Sequence, residues 1–355
     1  MRVLGVDPGS LSWDFVGFDE KTGIFLDHTI PTKTIQKDLN IFFEILNSSG
    51  PFDLISAPSG FGLPLKKICD LSEKDLFLTI LKKNDNSENI VGLTNILKKL
   101  KELNVNGYIL PGVKHLPTVP NHRKINKIDL GTADKLCTAV VGIRNQIENY
   151  NINANETCFI MVELGYAFNA ILAVENGCII DGIGGSNLMG FRAAGGLDAE
   201  IAYLMGKIKK SDIYKGGVSS IAGYLDLNAE EILLLSKKDE QTKLGLEAFY
   251  ENIKKGVYSI SCSFSSKSKI REILFAGRLA RIEEITHRLF TELNDIAPSK
   301  IMKSYANISK ESAQGAAFIA NGLLGGQFKS IVETMKLKES SGSVLDNIFL
   351  PIENF

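Results

Sequence analysis

RVLGVDPGS at residues 2–10 and FIMVELGY at residues 159–166 decide how this chain is read. Each is an apolar run that ends in an acid, one further residue and a glycine: Asp7-Pro8-Gly9 first, and Glu163-Leu164-Gly165 again 156 positions later. The first copy continues through WDFVGF, the turn DEKTG and IFLDHTI; the second continues through FNAILAV, the turn ENG and CIIDGI. Alternating apolar residues bounded by turn residues make each copy a set of three strands. A supersecondary unit written twice implies a duplicated chain with two like-folded lobes.

The placement of the acid and the glycine carries chemical meaning. A glycine just after a strand lets the backbone turn tightly and present N–H groups to a phosphate, and the neighbouring carboxylate can hold Mg2+ directly or through water. Asp7 with Gly9, and Glu163 with Gly165, hold equivalent places. Two such hairpins facing each other would grip a polyphosphate from both sides. One copy alone reads more readily as an ordinary hairpin, since acid-x-Gly occurs often by chance; the repetition favours nucleotide chemistry.

Composition bounds the alternatives. The chain has 355 residues, more than one core usually supports, with 44% apolar and 23% charged residues, as in a globular protein of two domains. Net charge is −1 with both signs scattered, so no basic arm or stripe marks nucleic acid as a partner. Five widely spaced cysteines and four histidines form no metal-ligand spacing, which argues for reduced thiols and against a structural zinc site. No signal-peptide pattern opens the sequence and no run approaches 18 apolar residues, so the expected location is the cytoplasm, away from membrane.

Between the repeats, a helix is expected over about 34–47, a buried strand at FDLISAPSG, and strand-like runs at YILPGV and LPTVP. The polar loop NHRKINKIDLG leads to a helix starting near Thr132, with Leu136, Val140, Ile143, Ile147 and Tyr150 at helical spacing; Thr132 reads as its N-cap and Asp134 lies in its first turn. Asn176-Gly177 is a strong hairpin turn. Beyond it come a glycine-rich loop, a mostly helical stretch over about 207–262, a strand at REILFAG, and helices at RLARIEEITHRLFTEL and SAQGAAFIANGLLGG. Gly315, Ala316 and Ala320 of the last helix would allow close approach to Ala139 and Gly142, giving a crossing pair between the lobes.

Repeated lobes, acid-x-Gly hairpins and crossing helices resemble the superfamily of acetate and sugar kinases, heat-shock chaperones and actin. IIDGIGGSNLMGFRAAGGLDAEIAYL at 179–204 is similar to the segment after the second phosphate hairpin in acetate and butyrate kinases. PSGFGLPL, RKINKIDLGTADK and FAGRLAR bring it closer to an uncharacterised, DUF1464-like archaeal family of predicted butyrate kinases. The resemblance covers essentially the whole chain. It implies an α/β fold of two ribonuclease-H-like, actin-like ATPase domains with a nucleotide cleft between them. Domain I would be 1–150, completed by 328–355, and domain II 151–327 with the helical insertion. ATP and Mg2+ are the implied cofactors, with Asp7 and Glu163 at the metal. Gly9, Ser10 and Ser12 would meet the phosphates from one lobe and Gly165, Tyr166 and Asn169 from the other, with Gly184 and Gly185 of the next loop alongside. Gly277 and Arg278 would lie against adenosine. Glu163 and Tyr166 stand where many relatives have aspartate and a small hydroxyl residue, and Ala276-Gly277 replaces paired glycines.

Phosphoryl transfer needs positioning and charge neutralisation more than covalent help. Arg192, flanked by glycines in GFRAAGG, offers a planar donor fork and resembles an active-site arginine of acetate kinases; the alternative is a surface arginine paired with Asp198 or Glu200. Asp134 resembles the acid beside the substrate hydroxyl in type III pantothenate kinases. An alcohol needs such a base, whereas a carboxylate is already ionised at pH 7, so with a carboxylate substrate Asp134 would hold Mg2+ through water or cap its helix. Arg123 and Lys124 would hold a carboxylate or form a solvated basic stretch. Ser59, Gly60 and Phe61 follow a strand end and form either a substrate wall or a tight turn. GIGGSNLMG lacks the strand, helix and distant acid of a dinucleotide fingerprint, so no nicotinamide cofactor is expected. The expected activity is ATP- and Mg2+-dependent phosphorylation of a small carboxylate, with Asp7, Asp134 and Arg192 as catalytic residues. A small-alcohol kinase and a nucleotide-gated binding protein are the alternatives, and a homodimer is left open.

Overall fold

The computed structural model describes residues 1–57, 60–81 and 92–351. The chain divides into two compact units: Met1–Thr157 with Asn176–Ile179 and Lys303–Phe355, and Cys158–Glu175 with Ile180–Met302. Elements are numbered along the chain. Among the described residues, no helix is long and apolar enough to cross a membrane.

In the first unit, β1 (Arg2–Pro8), β2 (Ser12–Asp19) and β3 (Gly23–Pro31) form the antiparallel meander expected of the first repeat. β4 (Leu54–Ala57) and β6 (Gly107–Ile109) then add in parallel, and the short β5 (Lys66–Lys67) closes the order β3-β2-β1-β4-β6-β5. The second unit repeats the plan. β7 (Cys158–Leu164) pairs antiparallel with β8 (Asn169–Glu175), and β9 (Cys178–Ile183), β10 (Glu272–Ala276) and β11 (Ser299–Ile301) complete the order β11-β10-β7-β8-β9. β7, β10 and β11 run parallel. The turn residues Asn176 and Gly177 take φ of 52° and 70°, the left-handed pair that a two-residue hairpin requires.

Helices cover the sheets. In the first unit they are α1 (Thr32–Lys37), α2 (Asn40–Ser49), α3 (Glu73–Ile80), α4 (Leu93–Glu102), α5 (Asn121–Lys124), α6 (Ala133–Tyr150), α12 (Glu311–Leu323) and α13 (Lys329–Thr334). In the second they are α7 (Ala199–Met205), α8 (Val218–Ala222), α9 (Ala229–Leu235), α10 (Glu240–Ser261) and α11 (Glu283–Leu293). Trp13, Phe15 and Phe42 meet edge to face or tilted in the first core, at 5.8 and 5.6 Å between ring centroids. Ile160, Ile171, Phe249, Ile253 and Ile273 build the second core. Full burial of side chains of this size contributes about 1.5–3 kcal/mol each.

Three expectations need correction. The helix over 34–47 is two helices, because Asp38 is extended and its carboxylate accepts the Asn40 N–H at 2.9 Å, a local bond that competes with helix continuation. LPTVP forms no strand; it is an irregular run from Leu116 to Pro120 that follows a 3-10 turn at Val113–His115. Residues 303–327, expected with the second domain, belong with the first. A Cβ on Gly5 of β1 would stand 2.2 Å from the Ala317 nitrogen, and one on Gly315 would stand 1.8 Å from the Cys137 carbonyl oxygen. Helix α12 is therefore sandwiched between β1 and α6 at backbone contact, and glycine is required on both of its faces. The small-residue approach of α12 to α6 is as expected, but both helices lie inside one unit.

Candidate functional site

The register of β1 and β2 sets Asp7 directly opposite Asp14. Two carboxylates so placed repel, and both are buried. Lys310 resolves the conflict: its Nζ lies 2.8 Å from Asp7 Oδ2 and 3.1 Å from Asp14 Oδ2. The Ser312 hydroxyl donates to Asp7 Oδ2 at 2.5 Å, the Ser12 hydroxyl to Asp14 Oδ2 at 3.1 Å, and the Thr29 hydroxyl to the other Asp14 oxygen. Burial pushes the Asp7 carboxyl up, Lys310 pulls it down, and the charges of Asp134 and Asp14 push it up again, for a net rise. Burial alone would lower Lys310, but Asp7 and Asp14 outweigh it and keep the ammonium protonated. The Asp7 rise comes first from burial, and the Lys310 rise from the two carboxylates that share it.

Lys310 is delivered by a pinned loop. Asp27 on β3 accepts the N–H groups of Asn307, Ile308 and Ser309 at 2.7, 2.9 and 2.8 Å. The Ser309 hydroxyl reaches the carbonyls of Phe15 and His28, each at 3.2 Å. Burial works to raise the Asp27 carboxyl, yet the Ser309 hydroxyl and these N–H donors hold it below the ordinary carboxylate range. The chain thus enters α12 with Lys310 aimed at the β1–β2 turn. There the Gly9 N–H donates to the Ser12 carbonyl at 2.9 Å and the Thr32 hydroxyl donates to the Gly9 carbonyl at 2.7 Å. A Cβ on Gly9 would lie 2.7 Å from Lys310 Nζ. Ser10 is exposed at the tip of the turn.

Asp134 stands in the first turn of α6, within electrostatic reach of Asp7 and Lys310. Thr132 occupies the N-cap position, but its hydroxyl donates to Asp134 Oδ1 instead of closing a side-chain cap. Lys135 Nζ sits 2.6 Å from Asp134 Oδ2. Burial would raise the Asp134 carboxyl; Lys135 and Thr132 outweigh it and hold it low. The Gly60 carbonyl accepts the Ala133 N–H at 3.0 Å, which brings the Gly60–Phe61 turn to the head of α6. The Phe61 ring is half-buried against the core, and Ser59 lies outside the described residues. Arg123 is half-buried on α5, whereas Lys124 is buried and donates to the Leu116 carbonyl at 2.9 Å.

In the second unit, Glu163 is buried at the end of β7, alongside Ala276 of β10 in the parallel register. Gly277 follows with φ of 88° against the Leu164 carbonyl, and Arg278 is exposed beside it. The turn at Gly165 leads to Asn169, fully buried, whose Nδ2 donates to the Met189 carbonyl at 2.6 Å while its Oδ1 has no hydrogen-bond partner among the described residues. Gly185 lies against the Phe168 side chain, and the Gly184 carbonyl accepts the Asn187 N–H at 2.9 Å. Phe191 and Ala193 lace onto the hairpin through N–H bonds to the Tyr166 and Ala167 carbonyls at 3.1 and 3.2 Å. This sets Arg192 beside the turn, its guanidinium 5.7 Å from the Tyr166 ring centroid and one N–H donating to the Leu225 carbonyl at 3.2 Å. Among the described residues Arg192 has no carboxylate at ion-pair distance, so the pairing with Asp198 or Glu200 does not occur. The Tyr166 hydroxyl is turned to the Leu227 carbonyl at 2.5 Å.

Sequence reasoning missed Asp14, Asp27, Lys135, Lys310 and Ser312. Asp14 is legible once the strand register is known. Lys310 and Ser312 sat in view at the head of the small-residue helix.

A family description of a protein of unknown function, DUF1464, matches residues 5–350. The chain belongs to the DUF1464 family. No curated protein matches it in sequence. Among solved structures, a propionate kinase from Francisella tularensis is 15% identical, with a TM-score of 0.63 over 88% of this chain and 98% of that one. An acetate kinase from Porphyromonas gingivalis gives 13% identity and a TM-score of 0.62, covering 89% and 98%. One from Entamoeba histolytica gives 14% and 0.59, covering 83% and 87%. These likenesses show the fold: two ribonuclease-H-like domains, as the duplicated meanders imply.

Proposed function

We propose that this DUF1464 protein is an ATP-dependent phosphotransferase that converts a small carboxylate to an acyl phosphate. The observation that carries the reading is the state of Asp134. Both of its oxygens are engaged, by the Thr132 hydroxyl and the Lys135 ammonium, and it is held low, so it is a weak proton acceptor. An alcohol acceptor would need a base there; a carboxylate is ionised at pH 7 and needs none. The shared fold with propionate and acetate kinases supports the same choice.

ATP supplies the transferred phosphoryl group. The acceptor carboxylate oxygen would form the new bond to phosphorus as the bond to the leaving oxygen breaks. Arg192, which among the described residues has no ionic partner, is the cation that would offset charge on the phosphoryl oxygens. Asn169 Oδ1, buried and without a partner among the described residues, adds a polar atom at the second turn. Asp134 would keep Lys135 and the Gly60 turn in place. A protein-built metal cage does not fit: Asp7 Oδ2 is taken by an ammonium and a hydroxyl, and among the described residues no three His, Cys, Asp or Glu side chains cluster as metal ligands. Mg2+ would therefore arrive on the nucleotide phosphates.

The test is phosphate transfer from ATP with Mg2+ across short carboxylates and alcohols, trapping acyl phosphate as its hydroxamate. A hydroxamate from one short acid, with Asp134→Asn losing less than about tenfold, is the expected result; general bases typically contribute 10^2–10^4-fold. Transfer to an alcohol, abolished by Asp134→Asn, would replace this reading with the alcohol kinase. Tight ATP binding without any product would favour a nucleotide-gated binding protein.

A further inference from the structure

Helix α7 (Ala199–Met205) buries none of its residues. A helix of a globular protein normally hides one apolar stripe, yet here Ile201, Leu204 and Met205, at i, i+3 and i+4, all face solvent, with Leu204 81% exposed. Tyr203 is 80% exposed, and Leu197 before the helix and Ile208 after it extend the stripe. A contiguous apolar surface of this kind marks an interaction site.

The charges around the stripe identify its occupant. Asp198 and Glu200 stand at the start of the helix, and Lys207 and Lys209 just past its end, all exposed. Among the described residues neither Glu200 nor Lys207 has an ion-pair partner in its own chain. Laid antiparallel on a copy of itself, about a two-fold axis between Tyr203 and Leu204, the segment sets Glu200 against Lys207 and Asp198 against Lys209, twice each. Leu204 then meets Tyr203 at the centre. This is the self-complementary pattern of an isologous contact. We infer that α7 and its flanks are the self-association surface of this protein, and that a second copy of the chain covers it.

Sedimentation velocity on the full chain at about 1–100 µM tests this, whatever the enzyme activity proves to be. The wild type is expected to be a dimer. Leu204→Glu, at an exposed position where folding is unaffected, buries a carboxylate in an apolar contact and should weaken association at least about 100-fold. Glu200→Lys sets like charges together and should weaken it about tenfold, and adding Lys207→Glu should restore it. A wild-type monomer throughout that range, or a dimer that survives Leu204→Glu, overturns the proposal. Failure of the double charge reversal to restore what Glu200→Lys lost overturns the antiparallel pairing.

Discussion

Lys310 holds two carboxylates that the strand register forces together, so its removal has a defined cost. Lys310→Met leaves Asp7 and Asp14 buried with no cation and should lower stability by about 3–5 kcal/mol in urea denaturation at pH 7. Adding Asp7→Asn should return part of that loss; if it returns none, repulsion between the two acids is not the cause. Asp27 acts one step earlier, on the loop that carries Lys310. Asp27→Asn should cost about 2 kcal/mol at pH 7. The Asp27 pKa is lower folded than unfolded, so its contribution is present above the unfolded value and is lost as pH falls through the folded one. The gap between wild type and Asp27→Asn should therefore close below about pH 4, and a gap unchanged in acid would refute the assignment. At this scale the sequence was legible where a residue type marks a turn between strands, as at Gly9 and Gly165. Lys310 and Asp27 escaped because their roles come from contacts about 300 positions apart, which no local pattern encodes.

Helices and strands were more readable than their junctions. The two meanders, the Asn176-Gly177 turn and the small-residue helix all follow from local pattern, since each is fixed by periodicity or by a backbone angle that few residues adopt. The break at Asp38 was not foreseen, because a single side-chain bond ends α1 within an otherwise helical pattern. Helix α12 offers a test in which two element-level effects oppose. By propensity alone Gly315→Ala should stabilise a helix by about 1 kcal/mol. Packing predicts the reverse, because the added Cβ would lie 1.8 Å from the Cys137 carbonyl oxygen and α6 would have to move. A net loss of about 2 kcal/mol, lowering the melting temperature by roughly 5 °C, is expected by calorimetry. An unchanged or raised melting temperature would mean that the two helices do not meet at backbone contact.

The division of the whole chain follows from where α12 goes. Its small residues showed that this helix packs closely on a neighbour but could not say which sheet it joins, and the expected boundary near residue 327 placed it with the second domain; the observed one falls between Met302 and Lys303. Residues 158–302 carry a complete sheet and core of their own, whereas 1–157 lack the helix that fills the space between β1 and α6. Ala313, Ala316, Phe318 and Ile319 of that helix are fully buried, so its absence would expose apolar surface on both of its neighbours. Expressed separately, 158–302 should melt cooperatively by circular dichroism, and 1–157 should not. Joining 1–157 to 303–355 through a flexible linker should restore a cooperative transition, because α12 returns to the sheet it packs on. Cooperative melting of 1–157 alone would show that the first unit does not depend on its C-terminal helix.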